Sequence, residues 1–134
     1  MRAFLAFLTV LILAMPLRAE EPADSIQGVI VDQIGAFQRS DLGAAFAHAS
    51  PSIQRIFGNP DKFGKMVKGG YPMIWRPVRW QMLTLEGPTG APVQTVLFEG
   101  QDGALYEADY AMIQVDGIWR INGVSLRRLP GVSS

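Results

Sequence analysis

The segment Val115-Asp116-Gly117-Ile118 constrains the fold of this chain more than any other. An Asp-Gly pair between two apolar runs specifies a two-residue hairpin, because both turn positions need φ > 0 and Asp and Gly tolerate it. The flanking runs, Leu105 to Val115 and Ile118 to Leu126, are rich in β-branched and aromatic residues that suit a pleated, half-buried surface. The chain therefore ends as an antiparallel sheet with one buried face.

The turn also sets a register. A two-residue loop pairs Val115 with Ile118, Gln114 with Trp119, Met112 with Ile121 and Tyr110 with Gly123. Side chains alternate along a strand, so Tyr106, Ala108, Tyr110, Met112, Trp119 and Ile121 share the core face. Glu107, Asp109, Ala111, Ile113, Arg120, Asn122 and Val124 share the other. In the preceding hairpin, a three-residue Gln101-Asp102-Gly103 loop pairs Phe98 with Tyr106 and brings Val96 and Phe98 to the core face. The opposite face mixes Leu97, Ile113, Val115, Ile118, Val124 and Leu126 with charged residues. A half-apolar outer face marks an interface, and a homodimer is expected through Leu97, Ile113, Val115, Val124 and Leu126.

The N-terminus reads as an address. Met1-Arg2 is a positive start, Ala3 to Met15 is apolar and uncharged, and Pro16-Leu17-Arg18-Ala19 leads to a small residue before Glu20-Glu21. That order matches a signal peptide cleaved after Ala19. The apolar run is short for a bilayer span, so membrane contact is expected only through an uncleaved leader. An exported protein, periplasmic in a bacterium or secreted, is the expectation. Removing residues 1–19 from the 134-residue chain leaves 115, enough for one domain over 20–134. With Arg2 and Arg18 gone, ten basic residues face twelve acidic ones, a net charge of −2. That lacks the basic footprint nucleic acid demands. The absence of cysteine removes disulfides, thiolate chemistry and lipid attachment at a cleavage-site cysteine. With His48 as the one histidine, no usual transition-metal site is expected, and no cofactor.

Helices precede strands, the order of an α+β domain. Asp24 and Gln27 can form a capping box, followed by Ile26, Ile30, Gln33/Ile34 and Phe37 at helical spacing. Ser40 is expected to open a second short helix. Ser50-Pro51 and Asn59-Pro60 each place a capping side chain before a proline, with stops at Gly58 and Gly69-Gly70. Strands are expected over 78–85, 93–99, 105–115 and 118–126, joined by short turns into an antiparallel meander.

Ile26-Gln27-Gly28-Val29-Ile30, Ala45-Phe46-Ala47-His48-Ala49-Ser50-Pro51, Gly70-Tyr71-Pro72, Trp75-Arg76-Pro77 and the terminal Gly117-Ile118-Trp119-Arg120-Ile121-Asn122-Gly123-Val124 carry a resemblance. With Phe57-Gly58 to Phe63 and Met66-Val67, they are similar to the uncharacterised bacterial family catalogued as domain of unknown function 4864. Through it the chain resembles the nuclear-transport-factor-two-like superfamily. The resemblance implies a cone-shaped cystatin-like α+β fold, with three to four N-terminal helices on a curved meander of about four strands. It brings no catalytic residues.

The superfamily includes isomerases and dehydratases with an acid, a base or a Tyr in the cone's mouth. Here the register sends Asp109 and Glu107 outward, and Asp32 falls off the helical stripe, so no acid–base pair is expected inside. His48 reads as a helix-end histidine satisfying carbonyls. Lys62, Lys65 and Lys68 read as a solvated helix face. Tyr71, Trp75, Tyr106, Tyr110 and His48 are the candidate pocket residues, the tyrosines standing out because a buried hydroxyl needs a partner. The expectation is a non-catalytic module binding a small apolar molecule or a partner. The alternative is a small isomerase or dehydratase using Tyr71, His48 or Tyr110.

Overall fold

Among the described residues, prolines start four of the five helices. In the computed structural model, which describes residues 21–131 together with 3 and 10–14, the order is α1 (Pro22–Gln38), α2 (Leu42–Ala47), α3 (Pro51–Phe57), α4 (Pro60–Gly70) and α5 (Pro72–Trp75). Four strands follow: β1 (Arg79–Glu86), β2 (Val93–Glu99), β3 (Leu105–Val115) and β4 (Ile118–Arg128). A proline at the first helical position gives up an N–H that has no partner there anyway. Pro22, Pro51, Pro60 and Pro72 all use this. The predicted cleavage point after Ala19 lies outside the described residues. Among the described residues, no helix is long and apolar enough to cross a membrane.

Two caps stand where the sequence places them. Ser50 Oγ accepts from the Ile53 amide at 3.3 Å, and Asn59 Oδ1 from Lys62 at 2.9 Å. Other boundaries differ. Pro22 starts α1 before the Asp24–Gln27 box can act, and Glu21 is the N-cap without a side-chain bond. Asp41, not Ser40, caps α2 through the Ala44 amide at 3.1 Å. Ser40 takes φ 56° instead, and its hydroxyl accepts from Arg76 at 3.0 Å. Arg76 also donates to the Phe37 carbonyl and lies 4.6 Å over the Trp75 ring, so one guanidinium fastens the end of α1 to α5. Gly69 and Gly70 stay helical, and α4 ends at Tyr71, whose amide bonds the Val67 carbonyl at 2.8 Å.

The sheet is an antiparallel meander in the order β1-β2-β3-β4. Asp116 and Gly117 have φ 52° and 77°, and Val115 pairs with Ile118 as predicted. Phe98 pairs with Tyr106, also as predicted. The predicted register fails beyond Met112–Ile121. Ala111 faces Gly123 and Tyr110 faces Val124, leaving Asn122 as the extra residue of a β-bulge. Because strand side chains alternate, one extra residue moves every later side chain to the other face. Val124 and Leu126 therefore leave the outer, dimer-face set and pack against the core, while Leu97, Ile113 and Val115 stay outside and half-buried.

The core between helices and sheet is led by Ile26, Ile30, Ile34, Phe37, Val96, Phe98, Tyr110 and Met112. Gln94 sits among them, fully buried. A second irregularity, between Met82 and Leu85 of β1, explains it. Gln94 Nε2 donates to the Thr84 and Thr95 carbonyls at 3.2 and 2.9 Å, with Leu83 at 3.4 Å, and its Oε1 accepts from Gln27 at 3.2 Å. The free edge of β4 is held by the α2–α3 link. Ile121 donates to the His48 carbonyl at 2.9 Å, the Ser50 amide donates to the Ile121 carbonyl at 2.8 Å, and Ser50 Oγ donates to Asn122 Oδ1 at 2.8 Å.

Candidate functional site

The β4 bulge and the α3–α4 pair leave space between them. Phe57 and Phe63 pack edge-on at 5.7 Å, and Phe63 meets Phe37 and Phe46 at 6.0 and 5.4 Å, so the helical wall is a set of rings with fixed spacing. Opposite stand Tyr110, Ile121, Gly123 and Val124 of the sheet. The half-open cavity is about 260 Å³. α1 contributes Gln33 and Phe37, and Tyr71 stands at the α4–α5 junction.

Of the candidate pocket residues, Tyr71 and Tyr110 line this cavity. Trp75, Tyr106 and His48 do not, and each has a reason. α5 turns Trp75 onto Phe37, with ring centroids 5.6 Å apart, beneath the Arg76 guanidinium. The Tyr106 hydroxyl donates to Asp102 Oδ2 at 2.7 Å and so fastens the β2–β3 turn. His48 ends α2, its carbonyl spent on Ile121. Its imidazole is held below the ordinary histidine value by burial first, with Arg120 adding to this and Asp32 opposing it.

Sequence reasoning missed Gln33, Gly123 and Val124 as wall residues. Gln33 carried a signal, as a polar residue on the apolar stripe of α1. It is 4% exposed and donates its Nε2 to the Ala45 carbonyl at 3.1 Å. Gly123 carried one too, because a glycine inside a strand often marks a bulge.

Electrostatically the cavity is neutral. Among the described residues, no Asp, Glu, Lys, Arg or His belongs to its wall, and the titratable groups there are the two tyrosines. Burial raises the Tyr110 phenol above its ordinary value of 10.0. The carboxylates lie on the opposite face of the sheet, as the register predicts. Arg127 donates to Asp109 Oδ2 at 2.6 Å and to Glu107, and Thr95 Oγ1 donates to Asp109 Oδ1 at 2.8 Å. The Arg127 hydrogen bond is the first cause holding the Asp109 carboxyl below the ordinary range. Among the described residues, no three His, Asp or Glu side chains gather closely enough to hold a metal ion.

Residues 19–133 match the model of a family described as Domain of unknown function (DUF4864). No curated protein matches the sequence. Among solved structures, the chain is similar to an NTF-2-like protein of unknown function from Silicibacter pomeroyi DSS-3. That similarity has a TM-score of 0.56 at 15% identity, covering 80% of this chain and 95% of that one. A protein from Kribbella flavida DSM 17836 aligns with a TM-score of 0.47 at 15% identity, over 78% of this chain and 86% of that one. The first likeness is one of fold: five helices on a four-stranded antiparallel sheet.

Proposed function

Because the chain belongs to the family described as Domain of unknown function (DUF4864) and has an NTF-2-like fold, we propose its role from its own site: it is an exported module that binds a small, largely apolar molecule in the α3–α4 cavity. The observation that carries the reading is the cavity itself. It is about 260 Å³, walled by aromatic and aliphatic side chains with a few polar groups, the usual composition of a small-molecule site. Export is supported by the leader-like order of residues 1–19 and by a family match that begins at residue 19. The alternative, an isomerase or dehydratase, needs a proton carrier beside the substrate. The wall offers tyrosines alone, and burial makes Tyr110 a poorer acid and leaves it protonated at neutral pH.

The test is a methyl-resolved NMR titration with acetophenone, a neutral aromatic probe. Saturable shifts are expected at Ile53, Val67, Ile121 and Val124, and are lost when Met66→Trp plugs the half-buried mouth. Shifts that are absent, scattered over the surface or unchanged in the plugged variant would remove the binding reading.

The partner proposed alongside is a second copy of the chain, packed through the outer sheet face. Val93, Leu97, Ile113, Val115 and Ile118 lie on that side, with Ile118 54% exposed. Light scattering of the mature chain at micromolar concentration is expected to give twice the monomer mass, and Ile113→Arg the monomer mass. A monomeric wild type would end the dimer reading.

A further inference from the structure

One group in the cavity wall has no hydrogen-bond partner. Tyr110 is 0% exposed, and its hydroxyl is the buried side-chain polar atom that finds no partner among the described residues. Buried hydroxyls are nearly always hydrogen-bonded, because an unpaired one forfeits its hydration without return. The ring stands on the inner face of β3, between Gln94 on β2 and Val124 on β4. Side chains stand roughly perpendicular to a sheet, so the hydroxyl lies at the end facing the helices. The amide nitrogens of Gln94 and Gln33 are committed elsewhere. Gln94 is bonded to backbone carbonyls and to Gln27, and Gln33 donates to Ala45. Tyr106 on the same strand shows the contrast, since its hydroxyl reaches Asp102.

We propose that Tyr110 is the polar anchor of the ligand site: the cavity takes a small, neutral, mainly apolar molecule with one acceptor oxygen, such as a ketone, aldehyde or ester, and the Tyr110 hydroxyl donates to that oxygen. This assignment rests on the binding role proposed above. Size follows from the volume, which lies just under the roughly 300 Å³ at which drug-sized pockets begin. Neutrality follows from the wall, where an ionised carboxylate or ammonium would lose its hydration and meet no counter-charge. The acceptor follows from the hydroxyl, which burial keeps protonated and therefore able to donate. A hydrocarbon would leave it bare. Tyr71 also lines the cavity, but it is part-exposed and can bond to solvent.

Three probes with the same ring and substituents of matched size separate these features: acetophenone, isopropylbenzene and benzoate. They are titrated calorimetrically into the wild type, Tyr110→Phe and Tyr71→Phe. The wild type is expected to bind acetophenone about tenfold more tightly than isopropylbenzene, and benzoate at least about tenfold more weakly than acetophenone. Tyr110→Phe is expected to erase the acetophenone preference, and Tyr71→Phe to keep it. Ligand-free Tyr110→Phe is expected to melt no lower than the wild type, since it removes an unpaired hydroxyl and keeps the ring. Equal binding of acetophenone and isopropylbenzene, a preference that survives Tyr110→Phe, or a lower melting point in that variant overturns the anchor and leaves an apolar site. Tighter binding of benzoate overturns the neutral class. No binding of either neutral probe overturns the cavity reading itself.

Discussion

Deleting Arg120 will cost the fold about 3 kcal/mol, whereas deleting Asn122, a little further along β4, will cost about 1 kcal/mol. Met112 and Ala111 are consecutive on β3 and face Ile121 and Gly123, so removing Asn122 turns the bulge into a regular ladder. Trp119, Ile121, Val124 and Leu126 keep their side of the sheet, and what is lost is the Ser50 hydrogen bond. Arg120 lies where the pairing is regular. Without it, either Trp119 or Ile121 must turn outward, because strand side chains alternate. They are 8% and 4% exposed. One well-buried side chain then leaves the core, at about 1.5–3 kcal/mol, and the Arg120 bond to the Ala47 carbonyl goes with it. The measurements are a denaturant midpoint and amide exchange on both deletions. Asn122→Ala is the matched control. It keeps the residue count and loses the same Ser50 hydrogen bond, at about 1 kcal/mol. An Asn122 deletion far less stable than this control, or an Arg120 deletion no less stable than it, would show that the bulge does not set the register.

Gln94→Leu is expected to destabilise the fold by about 3 kcal/mol, although leucine is apolar, similar in size and placed in the core. The glutamine is 0% exposed and bonds the carbonyls freed where β1 breaks register, at Leu83 and Thr84. Leucine leaves those carbonyls and the Gln27 amide facing an apolar group, at about 1–3 kcal/mol for each group that water cannot reach. The melting temperature should fall by roughly 12–24 °C at about 4–8 °C per kcal/mol. Gln94→Glu should do worse at neutral pH, because it sets a carboxylate against carbonyl oxygens. Burial raises that carboxyl's pKa in the folded state. The folded state then binds the proton more readily than the unfolded one, so part of the lost stability returns as pH falls through the raised value. A leucine variant that melts with the wild type would mean solvent serves the β1 bulge.

The Asp116-Gly117 turn, the Phe98–Tyr106 pairing and the Ser50 and Asn59 caps were all legible because each depends on residues within a few positions of one another. The β4 bulge was not. Its local sign, Asn122-Gly123 inside a strand, was present, but what fixes the extra residue there comes from far away: Ser50 on Asn122, and a core that takes Val124. Gln94 likewise alternates inward with Val96 and Phe98, and only the distant β1 irregularity explains a polar residue at that place. Of the pocket residues, Tyr71 and Tyr110 were found because strand phase and the helix-to-sheet junction place them. Trp75 was misplaced because Pro72 starts a short helix that turns it toward Phe37. His48 was misplaced because its backbone serves the edge of β4.

The meander has a consequence for the order in which the molecule assembles. Each strand pairs with its sequence neighbour, so hairpins close over short loops and need nothing from the helical half. The Ser50–Asn122 bond spans 72 positions, and contacts of such separation form late because ordering the intervening chain comes first. The helix that this bond helps attach, α3, has seven residues and none fully buried. Few buried contacts also make a segment the first to open within the native state. One side of the cavity is thus both the last part to dock and the first to loosen. Exchange between cavity and solvent then runs at the pace of one short helix, with the hairpins beneath it undisturbed.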